Sequence, residues 1–215
     1  MSILDQLEAL SDPQPEPWPL VTKLSDFKPF PLNDKCRVLV GRLPPLEIDF
    51  QALWDTHPPH FNRIKMYAKE VYIPRWQQAY GRDYAFSGQV NEAMVITPEM
   101  VPFLEWARHL HPDLGILNGL LLNWYDPEMG HYIGRHRDSE TGLVPGSPII
   151  TISLGGERLF RMKPHGATEP KVDFLVGNGD VVVIPWKTNK AWTHEVPKLT
   201  RFTERRISIT VRAFT

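Results

Sequence analysis

His136 and Asp138 stand two residues apart, and a second histidine, His194, lies well downstream. On an extended strand side chains alternate with period two, so a histidine and a carboxylate at i and i+2 share a face. With one distant histidine they form a two-histidine, one-carboxylate set. Three protein ligands on one face of a six-coordinate metal leave positions open, which suits a non-haem Fe(II) centre that activates dioxygen. A His-x-Asp pair by itself is weak, because a chain with 8 histidines often contains one as an ordinary surface pair. His109, His111, His131 and His165 are read as surface or structural residues.

The closing run Arg206-Ile-Ser-Ile-Thr-Val-Arg212 strengthens that chemistry. Ile207, Ile209 and Val211 alternate with Arg206, Ser208, Thr210 and Arg212, so one strand face is apolar and the other polar. The two arginines lie at opposite ends of the polar face. An iron oxygenase that uses 2-oxoglutarate needs a cation for the far carboxylate, and the planar guanidinium fork suits it. The alternative is a pair of ordinary surface ion pairs.

These residues must be held by one large domain, or less readily two small ones, in a chain of 215 residues. The net charge of -1, from 24 basic and 25 acidic side chains, excludes a globally basic nucleic-acid binder. A local basic strip at residues 61–82, with Arg63, Lys65, Lys69, Arg75 and Arg82, is still able to meet phosphates. Cys36 is the only cysteine, which excludes an intramolecular disulfide and a cysteine-rich zinc site. The N-terminus lacks a basic segment followed by an apolar one, so no signal peptide is expected. No apolar run approaches the roughly 18 residues of a membrane span. A soluble cytoplasmic protein is expected, or a nuclear one in a eukaryote.

Residues 1–45 are expected to be an N-terminal arm, Pro-rich and acidic over its first 34 residues, with Trp18 as an anchor. Residues 46–215 are expected to form a single domain. Proline removes backbone donors and restricts the residue before it, so Asp12–Pro19 should be extended. A short helix is expected near 47–56, with Phe50, Leu53 and Trp54 on one side. Thr97-Pro98-Glu99 predicts a helix start running to about His109 and burying Val101, Leu104 and Trp106 or Ala107. Beyond it come six β-rich runs at 116–124, 149–154, 159–162, 172–176, 181–184 and 206–214, separated by turn residues. Such short strands predict a sandwich or barrel.

The combination Asn123-Trp-Tyr125, His136-Arg-Asp138, His194 and Arg206-x-Ser-x-Thr-x-Arg212 resembles the AlkB family of Fe(II)/2-oxoglutarate dioxygenases. Pro145-Gly-Ser-Pro148-Ile and Ile152-Ser-Leu-Gly155 are similar to the family core. Ile73–Gly81 and Tyr84-Ala-Phe-Ser-Gly88 look like the substrate lid of its alkylated-DNA-repair branch. The resemblance covers roughly residues 60–215. It implies an α+β, mainly β fold: a double-stranded β-helix, or jelly-roll, cupin-like core with N-terminal helices and a nucleotide-recognition lid at 60–95.

By that resemblance His136, Asp138 and His194 hold iron. Arg206 pairs with the far carboxylate of 2-oxoglutarate, and Asn123 and Tyr125 hydrogen-bond it. Arg212 lies near its other end or orients Asp138. Ser208 stands where the family often has Asn, so its contact with the cosubstrate departs from the pattern. Tyr84 and Phe86, two apart on a strand face, could form one wall of a base pocket with His136 opposite. Ser87 belongs to the same segment. Arg75 and Gln77 could contact phosphate or a base edge, and Glu140 could accept from an exocyclic amine.

The implied cofactors are Fe(II), 2-oxoglutarate and dioxygen. The implied reaction is oxidative demethylation of N-alkylated bases in DNA or RNA, giving succinate, carbon dioxide and formaldehyde. The expected partner is alkylated nucleic acid, with no membrane, no obligate protein partner and a monomeric state. A second reading keeps the iron chemistry but acts on a protein, lipid or small molecule. A third is a barrel that binds without turnover. A positive groove around the metal pocket separates the first from the second.

Overall fold

A computed structural model describes residues 17–66, 69–86 and 88–215. The strands in chain order are β1 (Lys28–Pro31), β2 (Arg37–Arg42), β3 (Arg63–Met66), β4 (Lys69–Tyr72), β5 (Trp76–Tyr80), β6 (Tyr84–Phe86), β7 (Gln89–Asn91) and β8 (Ala93–Met94). They continue with β9 (Gly119–Tyr125), β10 (Ile133–His136), β11 (Ile149–Gly155), β12 (Arg158–Pro164), β13 (Val172–Val176), β14 (Asp180–Ile184), β15 (Trp192–Val196) and β16 (Arg206–Arg212). Three α-helices accompany them among the described residues: α1 (Phe50–Trp54), α2 (Val101–His109) and α3 (Trp186–Ala191).

An eight-stranded sheet runs β1-β2-β14-β11-β16-β9-β5-β8, and a four-stranded sheet runs β10-β15-β12-β13. This mainly antiparallel double sheet is the jelly-roll expected. Period two explains how the large sheet is buried on both faces. Leu120, Leu122 and Trp124 of β9, Ile150, Ile152 and Leu154 of β11 and Ile207, Ile209 and Val211 of β16 join α1 and α2 in one core. Intervening side chains of these strands, such as Tyr125 of β9 and Ile149 of β11, face the four-stranded sheet. There Val182 and Ile184 meet Phe160, Met162, Phe174 and Trp192 in a second core. Each Leu or Ile so buried contributes about 1.5–3 kcal/mol. The second core fills one end of the space between the sheets and leaves the other end to polar residues.

Four expectations change. Residues 28–42 are not an arm: β1 and β2 pair with each other, and β2 pairs with β14, extending the large sheet. Of the rest of the arm, Trp18 packs edge-on against Phe30 at 6.0 Å, and residues 1–16 lie outside the described residues. Helix α2 starts at Val101, because the Thr97 carbonyl accepts from Met100 N at 2.9 Å in a preceding turn. Its buried face is Phe103, Leu104 and Ala107, continued by Met100 and Leu110, a 3.6-residue period that leaves Val101 43% exposed. Strand β9 begins at Gly119 because Pro112–Ile116 forms a 3-10 turn. At Gly119 a Cβ would come within 2.6 Å of the Phe214 ring, so the close approach of the last residues excludes a side chain. Finally, the stretch 60–95 does not fold as one continuous segment. Strands β3–β4 and β6–β7 form two separate hairpins, and β5 between them is a member of the large sheet.

Candidate metal and cosubstrate site

His136 closes β10 and lies directly opposite His194 of β15 in the strand register. The distant histidine is therefore a cross-strand neighbour, where side chains on one face meet. Asp138 lies just past the end of β10, its Oδ1 3.6 Å from His136 Nε2 and 3.7 Å from His194 Nε2. The three ligand atoms fall within 4.8 Å of one another, so they could hold a metal ion. The Asp138 main chain is clasped by Asn189, whose Oδ1 accepts from Asp138 N at 3.2 Å and whose Nδ2 donates to Asp138 O at 3.1 Å. His136 Nδ1 lies 2.8 Å from the Gly134 carbonyl. A carbonyl only accepts, so Nδ1 carries the proton and Nε2 presents a lone pair. The Phe160 ring lies parallel to His194 at 5.5 Å and 10°, which fixes the imidazole plane.

Electrostatics keep this set in the form a cation needs. Burial, and then the neighbouring His194, hold the His136 imidazole well below the ordinary histidine range. Burial does the same for His194. Burial alone would raise Asp138, but the Arg212 guanidinium and the two histidines outweigh it and hold the carboxyl low. Arg212 donates to Asp138 Oδ2 from Nε at 3.1 Å and from Nη2 at 2.5 Å. This leaves Oδ1 for the histidine side, the orienting role expected for Arg212.

The polar face of β16 carries the rest of the site. Arg206, Ser208, Thr210 and Arg212 are all at most 6% exposed, so the face is not a solvated one. It looks into a cavity of about 450 Å³ that reaches from the metal set to Arg206. Arg206 Nε donates to Ser153 Oγ at 2.9 Å, and its guanidinium lies 5.0 Å over the Tyr125 ring. Its Nη1 is buried with no partner among the described residues. An unpaired buried guanidinium donor costs several kcal/mol unless an anion meets it, and a carboxylate placed in the cavity would do so. The residues present thus fit 2-oxoglutarate. Ser208 lies in register between Ser153 of β11 and Asn123 of β9, so the short hydroxyl sits on the cavity floor.

The candidate substrate residues divide. Tyr84 and Phe86 stack at 5.4 Å and 26°, and both line the cavity with His136. Arg212 lies 4.6 Å over the Tyr84 ring. Burial, helped by the charge of Asp138, pushes the Tyr84 phenol up to about 12. Arg75 and Gln77 do not reach outward. They are 5% and 2% exposed and donate to Asn123 Oδ1 at 2.6 and 3.0 Å. The reason is topological: β5 pairs with β9, so this face of β5 points at Asn123. Glu140 does not line the cavity; its carboxylate pairs with Lys190 at 3.5 Å. Ser87 lies outside the described residues.

Ser153, Asn189 and Phe160 were not foreseen. Ser153 was findable, since it alternates with the apolar Ile152 and Leu154 and must face inward with Arg206. Nothing local marks Asn189 or Phe160.

The profile of the 2OG-Fe(II) oxygenase superfamily matches residues 54–212. The chain is 32% identical over 163 residues to the mouse DNA oxidative demethylase ALKBH2, a match covering 70% of this chain and 66% of that protein. It is equally 32% identical over 163 residues to the human protein of that name, covering 70% and 60%. The match therefore spans a little under two thirds of either relative. The solved structure of OsALKBH1 is alike in fold, with a TM-score of 0.56 over 86% of this chain and 99% of that one at 12% identity. The chain belongs to the 2OG-Fe(II) oxygenase superfamily and, within it, to the AlkB family. Membership implies Fe(II), 2-oxoglutarate and dioxygen, for which His136, Asp138 and His194 supply a fitting donor set.

Proposed function

We propose that this protein is an Fe(II)/2-oxoglutarate-dependent dioxygenase that removes N-linked alkyl groups from nucleobases in DNA or RNA. The observation that carries the reading is the charge of the cavity wall. Among the described residues, Arg75, Arg135, Arg137, Arg206 and Arg212 line it against the one carboxylate of Asp138. Arg206 and Arg212 answer the cosubstrate and Asp138, and Arg135 donates to Thr193 Oγ1 and to the Pro164 and Ala167 carbonyls, whereas Arg137 is exposed and is proposed to meet a phosphate backbone. Phe86, half-buried and backed by Tyr84, offers an unpaired base a ring in the cavity that His136 also lines. The mouse and human relatives carry the name DNA oxidative demethylase.

His136, Asp138 and His194 would hold Fe(II), and Arg206, Tyr125, Ser208 and Asn123 would hold 2-oxoglutarate. When bound, these supply the oxidation of an N–CH₃ carbon to N–CH₂OH, with 2-oxoglutarate and dioxygen consumed and succinate and carbon dioxide formed. The hydroxymethyl compound then splits into formaldehyde and the free base N–H. Arg212 keeps Asp138 ionised and oriented throughout. Tyr84 and Phe86 place the alkyl group and exclude water. The hairpins β3–β4 and β6–β7, within 60–95, serve as the substrate lid of a single domain that acts as a monomer.

Mass spectrometry of methylated DNA and RNA oligomers with Fe(II), 2-oxoglutarate and ascorbate tests this. The expected result is loss of methyl mass with one formaldehyde per succinate. Strong succinate formation with every oligomer unchanged would overturn it in favour of a protein or small-molecule substrate.

A further inference from the structure

Arg75 and Gln77 converge on a single atom. Arg75 Nε donates to Asn123 Oδ1 at 2.6 Å and Gln77 Nε2 donates to it at 3.0 Å. A side-chain amide has one accepting end and one donating end. Two donors can be satisfied on one end only if that end is the oxygen, so the amide cannot turn over. Its Nδ2 must then face away from β5, and no hydrogen bond occupies it among the described residues. All three side chains line the cavity, and none is more than 5% exposed. A carboxylate only accepts hydrogen bonds, so which end Asn123 presents decides whether it attracts or repels an anion.

We infer that Arg75, assisted by Gln77, is a positioning residue that locks the Asn123 amide with its NH₂ end toward the cosubstrate carboxylate. It thereby sets the affinity for 2-oxoglutarate through Asn123. The inference rests on the proposed function, which supplies the anion. It also gives Arg75 and Gln77 a role other than reading phosphate or a base edge. The same strand ties down the residue before the β3–β4 hairpin, since Asn62 Nδ2 donates to the Gln77 carbonyl at 3.1 Å.

The test is calorimetric titration of 2-oxoglutarate into Mn(II)-loaded protein, which measures binding without turnover. Arg75→Met should weaken binding by roughly ten-fold or more, the scale on which partners that orient a ligating group act. Arg75→Lys, which keeps a donor, should recover part of the loss. In an Asn123→Ala background Arg75→Met should add no further loss, because the residue it acts through is gone. Gln77→Glu is the second variant, to be used if Arg75→Met does not fold. It sets an acceptor beside Oδ1, favours the reversed amide and should weaken binding as well. Unchanged affinity in the variant that folds, or full additivity with Asn123→Ala, overturns the positioning role while leaving the proposed function standing. Mn(II)-loaded wild-type protein that binds no 2-oxoglutarate overturns the proposed function and the positioning role together.

Discussion

The two walls of the cavity are built differently. The inner wall rises from β9, β11 and β16, each hydrogen-bonded to a neighbour on both sides in the large sheet. Its Asn123, Ser153, Arg206, Ser208 and Arg212 are at most 5% exposed. The outer wall is carried by Tyr84 and Phe86 on β6, a strand of 3 residues that pairs, among the described residues, with β7 alone. Tyr84 is buried, but Phe86 is only half-buried, and the β4 and β7 strands of the two hairpins leave Tyr72 and Val90 59% exposed. A two-stranded hairpin is marginal alone, whereas a central strand is held by its neighbours. Asn123, Arg206 and Ser208, the groups proposed to hold the cosubstrate, therefore stand on the inner wall with Arg212, while His136 and His194 face them from β10 and β15 of the four-stranded sheet. Tyr84 and Phe86, the groups proposed to meet a variable substrate, stand on the outer one.

That contrast can be broken by experiment. If the inner wall and the metal set it faces are the chemical half, His136→Ala should abolish dealkylation, by roughly a thousand-fold or more, with loss of bound iron measured by metal analysis. Arg212→Met should strand the Asp138 carboxylate without its partner and lower the stability of metal-free protein by about 3–5 kcal/mol in denaturant unfolding. Bound Fe(II) should reduce that deficit, because the cation replaces the lost charge. Arg206→Met should weaken 2-oxoglutarate about ten- to a hundred-fold, read as a rise in its KM with the fold intact. On the outer wall, Phe86→Ala should raise the KM for a methylated oligomer by roughly ten-fold, the worth of one stacked base. It should leave 2-oxoglutarate decarboxylation without oligomer unchanged. Equal loss of both would erase the distinction between the walls. The smallest effect is expected at the mouth. Arg137→Ala should lower the slope of log affinity against log salt by about one unit, as one phosphate contact does, in fluorescence-anisotropy titrations.

Much of the inner wall was legible in the sequence. Period two along Arg206–Arg212 placed both arginines and Ser208 on one face, and β16 has that register. The β-rich runs after residue 116 matched strands to within a few residues, because their turn residues are strong local signals. The outer wall was less legible. Tyr84 and Phe86 do share a strand face, yet Glu140 is drawn off to Lys190, an ion pair that no spacing along the chain announces. The start of α2 was misplaced because a proline after a threonine marks a turn as readily as a helix.

The sequence by itself determined the types of chemical group, two histidines, a carboxylate and a cation-bearing strand, and the local face each would occupy. Alternation is a property of the backbone and needs no knowledge of the fold. Only the tertiary structure decided that His136 and His194 are cross-strand neighbours, that Asn189 and Arg212 clamp Asp138 from two sides, and that Arg75 and Gln77 turn inward to one oxygen of Asn123. Those pairings depend on the register between strands far apart in sequence, which is set by how both faces of the large sheet are buried at once.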